Sequence, residues 1–236
     1  MAICTSLPAW EKAEVSVLEG VKMRNEARTY LPAAGKDWLL PFYDPMVKLL
    51  GGDGARKLLV AQAGLRAGQR ILEVGCGTGT LTLMIKRLEP GVEAVGMDPD
   101  PKALARARAK AARSGAQMRF DEGFGDELAY PDESFDRVFS SFMFHHVPAA
   151  EKGNFLESVR RVLKPDGSFH MLDFEEGGGL HSLLAHIFHT HQRLEDNAQD
   201  RILQLMNDAG LAGEKVAGRQ MIFGSVAYYR ALKAGS

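Results

Sequence analysis

Between Arg70 and Phe174 short apolar runs alternate with helical patterns, and this alternation limits the chain to very few folds. The runs are RILEV (Arg70 to Val74), VEAVGM closing at Asp98, AQMRF before Asp121, FDRVFSSF and SFHMLDF. Between them lie a helical stretch from Gly79 to Leu88 that ends before Pro90, and an Ala-rich one from Lys102 to Arg113. In a third, Phe155, Leu156, Val159, Val162 and Leu163 share one helical face ahead of the turn KPDG. Strands joined by helices form right-handed crossovers, so these strands are expected to be parallel with helices on both faces. A helix from Ala198 to Ala209 closed by Gly210, then EKVAGRQMIFGSVAYYRALK as two strands turning at Gly224, completes the pattern. A hairpin added to a parallel sheet must set one strand antiparallel.

The expected fold is therefore α/β: a doubly wound, Rossmann-like, seven-stranded sheet, mostly parallel with an antiparallel terminal strand. With 236 residues, 45% of them hydrophobic, the chain can bury one full core. The core is expected over 55–236, beginning with a helix from Ala55 to Ala63 stopped by Gly64, with a lid insertion near 175–196. Residues 1–54 are expected to form a helical lid or substrate segment, amphipathic from Trp10 to Arg28 and then broken by Pro32, Pro41 and Pro45. The 29 Lys and Arg balance 30 Asp and Glu, which argues against nucleic acid or an anionic surface as partner and for a small molecule. A chain with two cysteines, Cys4 and Cys76, no basic leader and no apolar run near 20 residues is expected to be cytoplasmic, without disulfides or a membrane span. Its oligomeric state is not legible.

The first strand runs into ILEVGCGTGT, where Gly75, Gly77 and Gly79 alternate. Glycine reaches backbone conformations that other residues resist and admits close approach, so a ligand is expected on this strand-to-helix turn. A dinucleotide fingerprint, G-x-G-x-x-G, fails because Thr80 stands at its third small position. Glu73, two residues before the first glycine, repels phosphate and suits an ammonium. Asp98, nineteen residues beyond Gly79, ends the second strand where a carboxylate can accept both hydroxyls of a ribose. A ribose with a cationic tail and no pyrophosphate describes S-adenosylmethionine.

On these residues the chain resembles the class I S-adenosylmethionine-dependent methyltransferases, whose first motif looks like LEVGCGTG. The resemblance extends through GMDPDP, LAYPDESFDRV, HHV and RVLKPDGSFHMLD, roughly Gly64 to Asp173, and is nearest to the small-molecule branch that includes quinone biosynthesis. It implies that Gly75, Cys76, Gly77 and Gly79 line the methionine end of the cofactor, with Glu73 toward its amino group. Asp98 would take the ribose and Pro99 the adenine, while Ser140 and Ser141 would lend backbone contacts. The loop after the third strand departs from the family's Gly-Asp-Ala, reading Gly123-Phe124-Gly125-Asp126. Phe124 is then expected against the adenine and Asp126 as a replacement acceptor.

The expected activity is methyl transfer to a small, partly apolar acceptor through an O, C or N nucleophile. Alternatives are a catalytically silent cofactor-binding partner, aminopropyl transfer on the same core, or a nicotinamide enzyme. His145 and His170 are the candidate bases, and for His145 packing of the next helix competes with that role. Candidates for the acceptor pocket are Tyr30, Trp38, Phe42, Tyr43, Phe142, Phe174 and His186. His181, His186, His189 and His191 are interleaved with Leu183, Leu184, Ile187 and Phe188, which favours a lid helix over a metal site.

Overall fold

The computed structural model describes residues 51–175, 199–221 and 224–234. Among them, α1 (Gly52–Gln62) precedes β1 (Arg70–Val74), α2 (Thr80–Leu88), β2 (Glu93–Asp98), α3 (Pro101–Ser114), β3 (Arg119–Glu122) and β4 (Phe135–Ser141). Two short 3-10 turns, Phe144–His146 and Ala149–Glu151, lead into α4 (Lys152–Val162) and β5 (Leu163–Phe174), followed by α5 (Gln199–Asp208), β6 (Leu211–Met221) and β7 (Gly224–Lys233). The seven strands form one sheet in the order β3-β2-β1-β4-β5-β7-β6. Pairings from β3 through β5 are parallel, and β7 runs antiparallel to both β5 and β6. This is the mostly parallel sheet with a reversed strand near its end that the alternation predicts.

Alternation along each strand sends side chains to opposite faces. Ile71, Phe139, Leu172, Val226 and Tyr228 meet Ala55, Leu59, Leu81 and Ile85 of α1 and α2 on one face. On the other, Leu72, Val138, Phe169, Met171 and Tyr229 meet Phe155, Leu156, Val159, Ile202 and Met206 of α4 and α5. Helices therefore cover both faces. α3 starts on the Asp100 carboxylate, which accepts the Lys102 N–H at 2.8 Å, carries Pro101 in its first turn and stops at left-handed Gly115.

Several boundaries differ from the sequence reading: α1 begins at Gly52 rather than Ala55 and β6 at Leu211 rather than Glu214, and two others have a local cause. β3 starts at Arg119 rather than Ala116, because the Ala116 N–H still bonds back to Ala111 of the preceding helix at 3.2 Å. The KPDG turn lies inside β5: Leu163 already pairs with Phe135, and the register then shifts before Arg137 pairs with Ser168. Pro165 has no N–H to give a ladder, and Gly167 folds so tightly over Lys164 that a Cβ there would stand 2.9 Å from its carbonyl oxygen. Leu163 thus begins the strand and does not extend the helical face.

Candidate functional site

The carboxyl ends of β1, β2 and β4 are where an open parallel sheet leaves a crevice for ligands. β1 is buried on both sides, yet carries Glu73 facing α1 and α2, where the Thr82 hydroxyl donates to its carboxylate. Burial lifts the Glu73 pKa to about 7, against the opposing pulls of Thr82 and the Arg56 guanidinium. After Val74 the chain must turn sharply. Gly75, Gly77 and Gly79 all adopt left-handed backbone, with φ of 73°, 52° and 74°, and Gly79 opens α2. That conformation explains the glycines physically, since each Cβ would add strain. Gly75 has a second constraint: a Cβ there would stand 2.2 Å from Met143 Cγ, so the exit of β4 lies directly on the glycine turn.

The turn is tied to β2. Gly75 and Cys76 donate to the Met97 carbonyl at 2.8 and 2.9 Å, and Gly77 donates to Asp98 Oδ2 at 2.7 Å. Asp98 Oδ1 accepts the Asp100 N–H at 2.9 Å. An ionised carboxylate has about four acceptor positions, so capacity for hydroxyl donors remains. Burial raises the Asp98 pKa to about 6 even though the Asp100 and Gly77 N–H groups favour the charged form. The turn after β3 joins this group through the Gly123 N–H, which donates to the Asp98 carbonyl at 3.2 Å. Phe124 and Asp126 are half-buried in that turn, and Gly125 is seated where a Cβ would meet Phe155 at 2.7 Å.

At the exit of β4, Ser140 and Ser141 are buried, the Ser140 hydroxyl without a hydrogen bond among the described residues and Ser141 Oγ accepting from Arg56 Nε at 3.4 Å. The backbone then passes through Phe142, at φ 55°, whose ring lies 5.2 Å from Phe174 and under the Arg56 guanidinium. Three residues on, His145 is buried with Nδ1 2.6 Å from Asp173 Oδ1, at the end of β5. Asp173 Oδ2 accepts the His145 N–H at 3.0 Å, and Oδ1 also accepts the Phe174 N–H at 2.7 Å. Burial alone would raise the Asp173 pKa, but His145 and these bonds outweigh it and hold the carboxyl below its ordinary value.

The structure brings Glu73, Gly75, Cys76, Gly77, Gly79, Asp98, Ser140, Ser141, Phe142, His145 and Phe174 to one edge of the sheet, with Pro99 and the turn from Gly123 to Asp126 adjoining. It does not bring His170 there. That side chain is buried within β5, stacked on Phe139 with centroids 5.3 Å apart and hydrogen-bonded to Ser168. Burial, with Arg137 and Arg230 nearby, lowers its pKa to about 3, so it is a neutral core residue rather than a base facing the crevice. Tyr30, Trp38, Phe42, Tyr43, His186 and the other histidines from 181 to 191 lie outside the described residues. Among the described residues there is no group of three or more potential metal ligands, and no helix is long and apolar enough to cross a membrane.

Sequence reasoning missed Arg56 and Asp173. Asp173 had a local signal, an acid next to the last residue of a strand among buried neighbours, as Glu73 is in β1. Arg56 had none, since its place on α1 is that of any solvated helix charge.

Residues 71–167 match the family described as a methyltransferase domain. The chain is 40% identical over 139 residues to a demethylmenaquinone methyltransferase of Thermus thermophilus, a stretch covering 58% of this chain and 62% of that relative. It thus spans less than two thirds of that protein's length. A ubiquinone/menaquinone biosynthesis C-methyltransferase UbiE of Azotobacter vinelandii is 29% identical over 247 residues, 92% of this chain and 93% of the relative. In structure, phosphoethanolamine N-methyltransferase 2 of Haemonchus contortus, in complex with S-adenosyl-L-methionine, has a TM-score of 0.70 at 16% identity, over 86% of this chain and 58% of that one.

Proposed function

We propose that this chain, which carries a class I S-adenosylmethionine-dependent methyltransferase domain, moves a methyl group onto a ring carbon of a demethylmenaquinone-type acceptor in its reduced, quinol form. The observation that carries the reading is the seating of Met143 against Gly75, with His145 two residues further on. It sets a candidate base and the cradle expected to hold the methyl donor on one edge of the sheet. The acceptor class is supported by the names of the Thermus and Azotobacter relatives, the second of which aligns over 92% of the chain.

The residues present fit S-adenosylmethionine. Glu73 would take the ammonium of its methionine end and Arg56 the carboxylate, the two charges of that zwitterion opposite two buried charges of the protein. Asp98 would accept from the ribose hydroxyls, the glycine turn would admit close approach, and the Ser140 hydroxyl offers a further donor. Phe124 and Pro99 would flank the adenine. When bound, this cofactor supplies an electrophilic methyl group whose carbon–sulfur bond breaks as the carbon–carbon bond to the ring forms, the electron pair staying on sulfur. His145 Nε2 takes the proton of the quinol hydroxyl, which raises the nucleophilicity of the adjacent ring carbon. After the carbon–carbon bond forms, the ring C–H proton passes to solvent as aromaticity returns, and the imidazolium gives its proton back to the ring oxygen, restoring both the quinol and the neutral base. Phe142 and Phe174 give the entrance an apolar wall that excludes water. Tyr30, Trp38, Phe42, Tyr43 and His186 are assigned to the acceptor pocket on their sequence placement.

His145→Gln tests the reading with a short-chain 2-prenyl-1,4-naphthoquinol as acceptor. The expected result is a fall in kcat on the order of 10²-fold or more with the Kd for S-adenosylhomocysteine unchanged. Unchanged kcat overturns the role of His145.

A further inference from the structure

Asp173 commits both carboxylate oxygens to the segment that carries His145. Oδ1 lies 2.6 Å from Nδ1 of its ring and Oδ2 accepts its backbone N–H at 3.0 Å, a two-point hold on one residue. Both partners are buried, and the Phe174 ring stands edge-on to the imidazole with centroids 5.1 Å apart, while His146 lies against it at 4.0 Å. Among the described residues Nε2 makes no hydrogen bond. An ionised carboxylate only accepts, so the nitrogen facing it must carry a proton. In a neutral imidazole that leaves the lone pair on the other nitrogen.

We propose that Asp173 is a positioning residue that holds His145 in the Nδ1–H tautomer, with the Nε2 lone pair presented to the acceptor's hydroxyl. The inference rests on the reading of His145 as the base. In the proton-transfer step the acceptor's O–H bond breaks, its electron pair stays on oxygen, and the proton forms a bond to Nε2. The resulting imidazolium keeps its Nδ1–H on Asp173, which remains ionised and offsets the new charge in a buried setting. Without the carboxylate, the proton is free to sit on Nε2, where it blocks the step.

The alternative is that Asp173 only caps the Phe174 and His145 backbone amides. Asp173→Asn separates the two, because an amide keeps the volume and an accepting oxygen but can turn its NH2 toward Nδ1. Nitrogen-15 NMR of the full, ligand-free chain labelled on histidine, with His145→Gln identifying the signal by its loss, is expected to show Nε2 unprotonated in the wild type and protonated in Asp173→Asn. With the naphthoquinol probe, Asp173→Asn is expected to lower kcat on the order of 10²-fold while KM and the Kd for S-adenosylhomocysteine stay within twofold. Asp173→Asn/His145→Gln is expected to be no slower than His145→Gln alone, since Asp173 acts through that ring. A wild-type signal with the proton on Nε2 overturns the proposal, and needs no variant that must fold. A tautomer that changes in Asp173→Asn with no loss of kcat overturns the base role of His145 and leaves the tautomer assignment standing.

Discussion

Glu73 and Asp98 are buried acids, and burial raises the pKa of each against the hydrogen bonds that favour its charged form. The folded-state pKa of Glu73 is about 7, above its ordinary 4.5, so the folded protein holds a proton that the unfolded chain has released between those values. Stability from this residue is fully present below pH 4.5 and is lost as pH rises through about 7, a cost on the order of 3 kcal/mol for the ligand-free protein. Denaturant midpoints of wild type and Glu73→Gln, compared from pH 5 to 8.5, should diverge with the variant gaining at high pH. An ammonium beside Glu73 restores the charged form. Cofactor binding at pH 6.5 should therefore release protons, read by calorimetry in buffers of different ionisation enthalpy, and Glu73→Gln should remove the release. Asp98→Ala should weaken S-adenosylmethionine binding by about 1–3 kcal/mol through lost hydroxyl contacts, and an unchanged Kd would count against its ribose role. His170 has the opposite linkage: its depressed pKa, about 3 against 6.5, gives stability that grows as pH rises from 3 to 6.5. His170→Phe should flatten that acid limb and keep methyl transfer within a few-fold.

At the scale of elements, the glycine turn is a joint between β1, α2 and the exit of β4. Gly75→Ala places a methyl group 2.2 Å from Met143 Cγ on left-handed backbone, and should lower stability by about 2 kcal/mol or more. Thermal unfolding of Gly75→Ala/Met143→Ala should recover part of the loss, the steric part, and leave the φ penalty. The turn was legible because glycine spacing, the acid before it and the acid nineteen residues later lie on two neighbouring strands of a repeating unit. His145 was legible only as one of two readings, for a histidine after a strand packs as readily as it reacts. What supports the proposed base role is Asp173, 28 residues away in the chain and brought alongside by the pairing of β4 with β5, a juxtaposition that no local pattern carries. His170 was misplaced for a related reason: one strand holds a crevice end and a buried middle, and alternation does not say where the crevice begins. The KPDG bulge escaped because Pro and Gly mark a turn without saying that strand pairing resumes on both sides of it.

At the scale of the whole molecule, the sheet edge brings together the cradle proposed for the cofactor, a tethered histidine and the Phe142 and Phe174 rings, while acceptor choice is proposed to lie with residues 1–54 and 175–196. Trp38→Ala and Tyr43→Ala should raise KM for the quinol several-fold without changing the Kd for S-adenosylhomocysteine. Equal losses in both would make those side chains structural rather than acceptor-binding. Similarity to methyltransferases does not by itself name the nucleophile, because the relatives and fold neighbours include carbon and nitrogen methylation by name. The direct measurement is the position of the transferred label. The full chain is incubated with S-adenosylmethionine carrying a carbon-13 methyl group and a short-chain 2-prenyl-1,4-naphthoquinol kept reduced, and the product is read by carbon-13 NMR. The label should appear as an aryl methyl on the ring carbon beside the prenyl group, and should be lost in His145→Gln. Label on a ring oxygen, or none in the presence of bound cofactor, would contradict the assignment of this domain to carbon methylation of a quinol.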